Sequence, residues 1–230
     1  YAFRDCSNLE TVSFASNSKL TSIGEYAFYN ADSLKRIAFP ASVKTIDIYA
    51  FYDCDSLMTV TFEEGIETIG QWSFYSTAIQ SVDIPNTVKL VGYYAFRDCT
   101  MLESVNLGTG LTSISEGLFE GCTGLTSVVM GNNINTIYPS AFYECAKLKD
   151  ITWSTNLNSI NDGAFKYCDA LTSVKLPNSL KKIGYGSFKY CDSLKEVILG
   201  ESVTEIGSQA FYGSPVSKFE INSPNTVFDS

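Results

Sequence analysis

A chain of 230 residues with 25 acidic against 16 basic side chains carries a net charge of −9 and contains no histidine. The acid excess opposes a nucleic-acid backbone, and the missing imidazole removes Ser-His-Asp and Cys-His nucleophilic sites, histidine metal centres and the usual general base near neutral pH. No apolar run approaches the ~18 residues that cross a bilayer, so this segment is not expected to insert into a membrane.

The chain repeats itself. A template A-F-x-x-C-x-x-L-x-x-V-x-L opens at Phe3 and returns at Phe28, Phe51, Phe74, Phe96, Phe119, Phe142, Phe165, Phe188 and Phe211, with spacings of 25, 23, 23, 22 and then 23 five times. A fixed period of this size marks a solenoid of about ten stacked units. Six residues after the anchor comes Leu9, Leu34, Leu57, Leu102, Leu125, Leu148, Leu171 or Leu194, and an alternating apolar pair follows, such as Val12 and Phe14 or Val174 and Leu176. That period of two predicts a short strand with one face inward, centred on residues such as Val60, Val105, Val128 and Val174. A second apolar pair closes each unit: Val43 and Ile46, Ile66 and Ile69, Leu180 and Ile183, Val203 and Ile206. Each unit therefore has inward residues on opposite sides of a narrow coil, which stacked neighbours enclose and a single coil does not.

The irregular units keep this logic. The segment "ASNSK" between Phe14 and Leu20 is two residues longer than its counterparts, while "FYSTAI" at Phe74 is one residue shorter and lacks the cysteine. Both changes fall in surface turns, where length changes cost little. At the far end Ile221 and Val227 repeat the six-residue spacing of Phe14 and Leu20, so residues 222–230 are expected to begin a diverged terminal unit. The chain opens inside a unit, at "YAFRDC", and is read as a piece of a longer protein with residues 1–230 forming one solenoid domain.

The unit L-x-x-V-x-L-P-x-x-L-x-x-I-G-x-x-A-F-x-x-C resembles the Treponema-type, or BspA-like, leucine-rich repeat, and "LTSVKLPNSLKKIGYGSFKYC" (residues 171–191) matches it almost slot for slot. The resemblance implies a β-rich α/β solenoid, a right-handed curved superhelix with a parallel sheet on its concave side. It also implies a place on large surface or secreted proteins of bacteria and some protists, several of them adhesins. It implies no enzymatic activity and no common ligand.

The residues that carry chemistry elsewhere read here as structural. All seven cysteines, Cys6, Cys54, Cys99, Cys122, Cys145, Cys168 and Cys191, sit three residues after an anchor, and Ala31, Thr77 and Ser214 share that slot. Such a slot wants a small side chain with a weak donor for a turn carbonyl. With no C-x-x-C pair, buried free thiols are expected rather than a metal site or a nucleophile. Asp32, Asp55, Asp169 and Asp192 occupy one repeated turn slot and are expected to bond nearby backbone in Asx-type turns. "DCD" (residues 53–55) lacks the ligands of a calcium loop, and "GTG" (residues 108–110) lacks the rest of a phosphate-binding signature. Neither a catalytic residue, a cofactor nor a metal is expected.

Two surfaces remain as candidates. The outward strand positions form rows containing Arg36, Thr59, Ser81, Ser104, Ser127, Asp150 and Ser173, and beside them Thr61, Asp83, Asn106, Thr152 and Lys175. Arg36, Thr59, Thr61, Ser81, Asp83, Ser104, Asn106, Ser127, Asp150 and Thr152 are the candidate ligand-binding residues, on a face suited to following the contour of an extracellular protein or glycan. Such positions also serve as ordinary solvated strand residues. The other surface is aromatic, with Tyr1, Tyr26, Tyr29, Tyr49, Tyr52, Trp72, Tyr75 and Tyr94 crowded into the first five units. Later units carry Lys166 and Lys189 there, and with Lys175, Lys181 and Lys182 that end is expected to be locally basic. The functional expectation is a non-enzymatic cell-surface or secreted binding module, with a passive spacer as the rival and an intracellular scaffold as a third reading.

Overall fold

A computed structural model describes residues 1–222 and 227–228. Short strands alternate along the chain. The first half holds β1 (Ser22–Ile23), β2 (Arg36–Ala38), β3 (Thr45–Ile46), β4 (Thr59–Thr61), β5 (Thr68–Ile69), β6 (Ser81–Asp83), β7 (Leu90–Val91), β8 (Ser104–Asn106) and β9 (Ser113–Ile114). The second half holds β10 (Ser127–Val129), β11 (Thr136–Ile137), β12 (Asp150–Thr152), β13 (Ser159–Ile160), β14 (Ser173–Lys175), β15 (Lys182–Ile183), β16 (Glu196–Leu199), β17 (Glu205–Ile206), β18 (Lys218–Ile221) and β19 (Val227–Phe228). The even-numbered strands make one parallel ladder and the odd-numbered strands a second, two-residue ladder. The predicted strands on Val60, Val105, Val128 and Val174 are present in the first ladder. The second member of each closing apolar pair also proves to lie in a strand: Ile46 in β3, Ile69 in β5, Ile183 in β15 and Ile206 in β17.

No helix occurs among the described residues, so the α/β description gives way to a parallel-sheet β-solenoid. The physical reason lies beside each anchor. Two residues after every anchor the backbone is left-handed, from Asp5 (φ 57°) through Asp98 (φ 57°) to Gly213 (φ 75°). From Phe28 onward the position two residues before the anchor is left-handed too, as at Tyr49 (φ 56°) and Gly186 (φ 56°). A right-handed helix cannot run through two such residues four apart, so the segment folds into tight turns. The ten anchor rings stack face to face at centroid spacings of 5.0–5.8 Å, which bounds nine turns.

The expected terminal unit lies partly outside the described residues. Its strand β19 is described and pairs with β17, Glu205 opposite Val227 and Ile206 opposite Phe228.

Both ladders are interrupted, and each interruption has a local cause. Between β7 and β9 the buried Ser115 hydroxyl donates to the Val91 carbonyl in place of a backbone amide. Between β4 and β6 the Glu64 carboxylate accepts from the N–H groups of Asn86 (3.2 Å) and Thr87 (3.3 Å) and bridges the turns. Between β12 and β14 no hydrogen bond is made among the described residues, and most Cα pairs of the two strands lie beyond 8 Å, against ~4.8 Å for paired strands.

Candidate functional site

The ladder of longer strands fixes the ten candidate residues in register. Arg36 lies opposite Thr59 and Ala38 opposite Thr61. Ser81, Ser104, Ser127 and Asp150 form one continuous row, and Asp83, Asn106, Val129 and Thr152 the row beside it. Nine of the ten are exposed and Ser127 is half-buried. The alternation is clean because the central residue of each strand points into the core: Ile37, Val82, Val105 and Val128 are buried. Arg36 and Thr59 are separated from the Ser81 row by the interruption at β4 and β6, so the candidate residues form two patches rather than one unbroken lattice. Among the described residues no group of three or more potential metal ligands converges.

The cysteine slot is a structural column. Six of the seven thiols are buried and all seven are free. Each buried thiol donates to the carbonyl of the anchor one turn back, as from Cys54 to Phe28 (3.0 Å) and from Cys145 to Phe119 (3.2 Å). Ser214 makes the same bond to Phe188 at 2.7 Å, which explains why serine shares the slot. In the short unit Thr77 turns instead to Phe74 in its own turn, at 3.1 Å. Burial pushes the Cys54 and Cys191 thiols up to about 12, and those of Cys145 and Cys168 up as well. A thiol so reluctant to ionise is a poor nucleophile and a poor metal ligand.

The turn acids behave differently from the Asx expectation. No bond from Asp32, Asp55, Asp169 or Asp192 to its own turn is present among the described residues. Burial and the neighbouring Asp192 carboxylate push Asp169 up.

The aromatic surface is a double ladder. Tyr1, Tyr26, Tyr49, Trp72 and Tyr94 stack in one column and Tyr29, Tyr52 and Tyr75 in the next. Arg4 closes one end, 4.8 Å over Tyr29, and Arg97 the other, 5.5 Å over Tyr94. Because the rings face one another, their planes are already covered and only edges and hydroxyls meet solvent. At the far end Lys166 and Lys189 lie over Tyr167 and Tyr190, each 5.0 Å away.

Sequence reasoning overlooked Trp153 and Lys149, which with Asp150, Ile151, Thr152, Leu171, Ser173, Val174 and Lys175 line an open cleft of about 370 Å³ between β12 and β14. The available signal was Trp153 itself, in a slot that Met130 and Leu176 fill in the adjoining units.

The comparisons with known proteins agree with this architecture. Among curated proteins none matches. A leucine-rich repeat protein of Bacteroides ovatus is 27% identical over 94% of this chain and 67% of its own, with a TM-score of 0.72. One from Eubacterium ventriosum is 27% identical over 94% of this chain and 56% of its own, with a TM-score of 0.71. A leucine-rich cell surface protein of Faecalibacterium prausnitzii, 23% identical over 96% of this chain and 75% of its own at a TM-score of 0.54, shares the fold. The model of the BspA type leucine rich repeat region matches six copies across residues 1–103, 68–186 and 158–230, and the chain therefore belongs to the BspA-type leucine-rich repeat family.

Proposed function

We propose that this chain is a non-enzymatic binding module, displayed at a cell surface or secreted, that holds an extracellular protein or glycan on the face of its longer-strand ladder. The observation that carries the reading is the pair of in-register rows, whose side chains are exposed, mostly polar and different from turn to turn. Paired strands, of which β8 and β10 are held by neighbours on both sides, present such groups on a rigid lattice, so little entropy is lost when a partner settles on them. The aromatic ladder offers less, since its ring faces are consumed by stacking. The F. prausnitzii structure is described as a cell surface protein, which supports display outside the cell.

The test is retention of serum and extracellular-matrix proteins on the immobilised chain. The set Arg36→Ala, Thr61→Ala, Asp83→Ala and Asn106→Ala should abolish a specific retained band, while Tyr29→Ser, Tyr52→Ser and Tyr75→Ser should leave it. The opposite result, with both proteins folded, moves the site to the tyrosine ladder. Retention of nothing specific by the unmodified chain makes it a spacer.

A further inference from the structure

The two mended interruptions and the open one differ in what fills them. At β12 and β14 the turns diverge only on the side of the longer strands. The second ladder stays closed there, with Ser159 opposite Lys182, and the anchor rings Phe142 and Phe165 stay stacked at 5.0 Å. Trp153 is the wedge. It occupies an inward slot, meets Phe165 of the next turn edge-on at 5.4 Å, and is larger than Met130 before it or Leu176 after it. Ile151, the central residue of β12, is consequently only half-buried, whereas Val128 and Val174 on either side are buried.

The divergence leaves main-chain groups without partners among the described residues. Where the longer-strand ladder is closed the first residue after the strand bonds the next turn, as Met130 N–H to Thr152 C=O (2.9 Å) and Leu176 N–H to Ile198 C=O (2.9 Å). The counterpart, Trp153 N–H to Lys175 C=O, is not formed. Before the strands Lys149 N–H bonds Thr126 C=O (3.1 Å) and Lys195 N–H bonds Thr172 C=O (2.9 Å), yet Thr172 N–H does not reach Lys149 C=O. The facing groups of Ile151, Ser173 and Lys175 make no ladder bond across the cleft either, so each side offers more than one donor and more than one acceptor, and most Cα pairs of the two strands lie beyond 8 Å. Two rungs of a ladder span ~9.6 Å, and a separation already beyond 8 Å for most pairs is a widening in the direction that a missing strand requires.

We propose that this opening is a strand-insertion slot that takes an extended, acidic segment of a partner protein. The inference rests on the reading of the ladder face as a binding surface and names the chemistry of the partner. An inserted strand pairs with Lys149 C=O and Trp153 N–H on one side and with Thr172 N–H and Lys175 C=O on the other. Its central side chain meets Ile151, Trp153, Leu171 and Val174, which calls for a small apolar residue such as valine. Its flanking side chains meet Lys149 and Lys175, exposed lysines that have no ion-pair partner among the described residues, and of the residues lining the cleft Asp150 alone opposes them. The local excess of positive charge favours acidic flanks. A second copy of this chain, at net −9, is the less complementary occupant.

The test uses the full chain with Trp72→Phe, which leaves Trp153 as the only tryptophan. The probe is the acetylated, amidated pentapeptide Glu-Thr-Val-Glu-Ala, whose two acids stand level with Lys149 and Lys175 when it lies parallel to β12 and β14 with its valine level with Ile151, followed by tryptophan fluorescence, calorimetry and amide hydrogen exchange. Saturable binding with slowed exchange at the Thr172 and Trp153 amides is expected. The pair Lys149→Glu and Lys175→Glu should weaken binding at least about threefold, and Lys-Thr-Val-Lys-Ala should bind more weakly than the acidic probe. Trp153→Leu, which copies the next turn, should let the strands close and abolish binding by calorimetry while circular dichroism is unchanged. If that variant fails to fold, the lysine pair and the exchange data decide. No saturation, equal binding of both peptides, or unchanged exchange at the two amides overturns the proposal, as does a dimer in sedimentation that Trp153→Leu dissolves. Loss of serum-protein retention with the Arg36, Thr61, Asp83 and Asn106 set but not with Trp153→Leu leaves the broader binding reading intact and removes the slot.

Discussion

Replacing Phe119 by alanine tests whether the anchor column holds the solenoid together. The ring is fully buried and stacked between Phe96 at 5.8 Å and Phe142 at 5.5 Å. Truncating a buried phenylalanine costs about 3–5 kcal/mol, within which two stacked aromatic pairs contribute about 0.5–1.5 kcal/mol each. Phe3 offers the contrast, because it is 45% exposed and has a single ring neighbour, Phe28 at 5.1 Å. Its truncation should cost no more than about 1.5 kcal/mol, the transfer value for a half-buried large side chain. Since each turn touches only its neighbours, damage at Phe119 should also uncouple the two halves. Trp72 lies before the lesion and Trp153 after it, so Trp153→Phe and Trp72→Phe give a reporter for each half. In urea the two fluorescence transitions should coincide for the parent and separate in Phe119→Ala. Coincident transitions with a loss under about 1.5 kcal/mol, or a Phe3→Ala loss as large as that of Phe119→Ala, would refute the column as the main source of cohesion.

The buried thiols predict an alkaline limit. Burial raises the folded pKa values of Cys54 and Cys191 to about 12 and raises those of Cys145 and Cys168 as well, so the stability these four contribute is complete below the unfolded thiol value of ~8.5 and falls as pH rises from there toward 12; urea midpoints from pH 8 to 11 should decline, less steeply in Cys54→Ala, and a flat profile rejects the mechanism. Titration of thiols in denaturant without reductant should find seven, with Cys6 the first to react in the native protein; five or fewer would mean disulfides. Cys145→Ser should be nearly neutral, because Ser214 already makes that bond, whereas Cys145→Ala should cost about 1–2 kcal/mol by urea denaturation. Gly131→Ala should be far more damaging than Gly24→Ala, since a Cβ at Gly131 would stand 1.6 Å from the Gly108 carbonyl oxygen and one at Gly24 meets nothing within 4 Å; equal thermal midpoints would contradict the stacking described.

The period, the core slots and the first ladder were legible because each is a local pattern repeated until chance is excluded. Phe51, Cys54, Leu57 and Val60 sit at the offsets the template assigns, and all but Val60 are fully buried. The outward rows followed from strand alternation alone. What was not legible depends on how one turn rests on the next. The second ladder escaped notice because a two-residue strand such as β5 leaves no alternation to read. The absence of helices followed from left-handed residues that include Tyr26, Tyr49, Trp72 and Tyr94, aromatic side chains whose identity gives no warning of such backbone. The open cleft depends on Trp153 pressing on Phe165 one turn away, a contact that no single unit encodes.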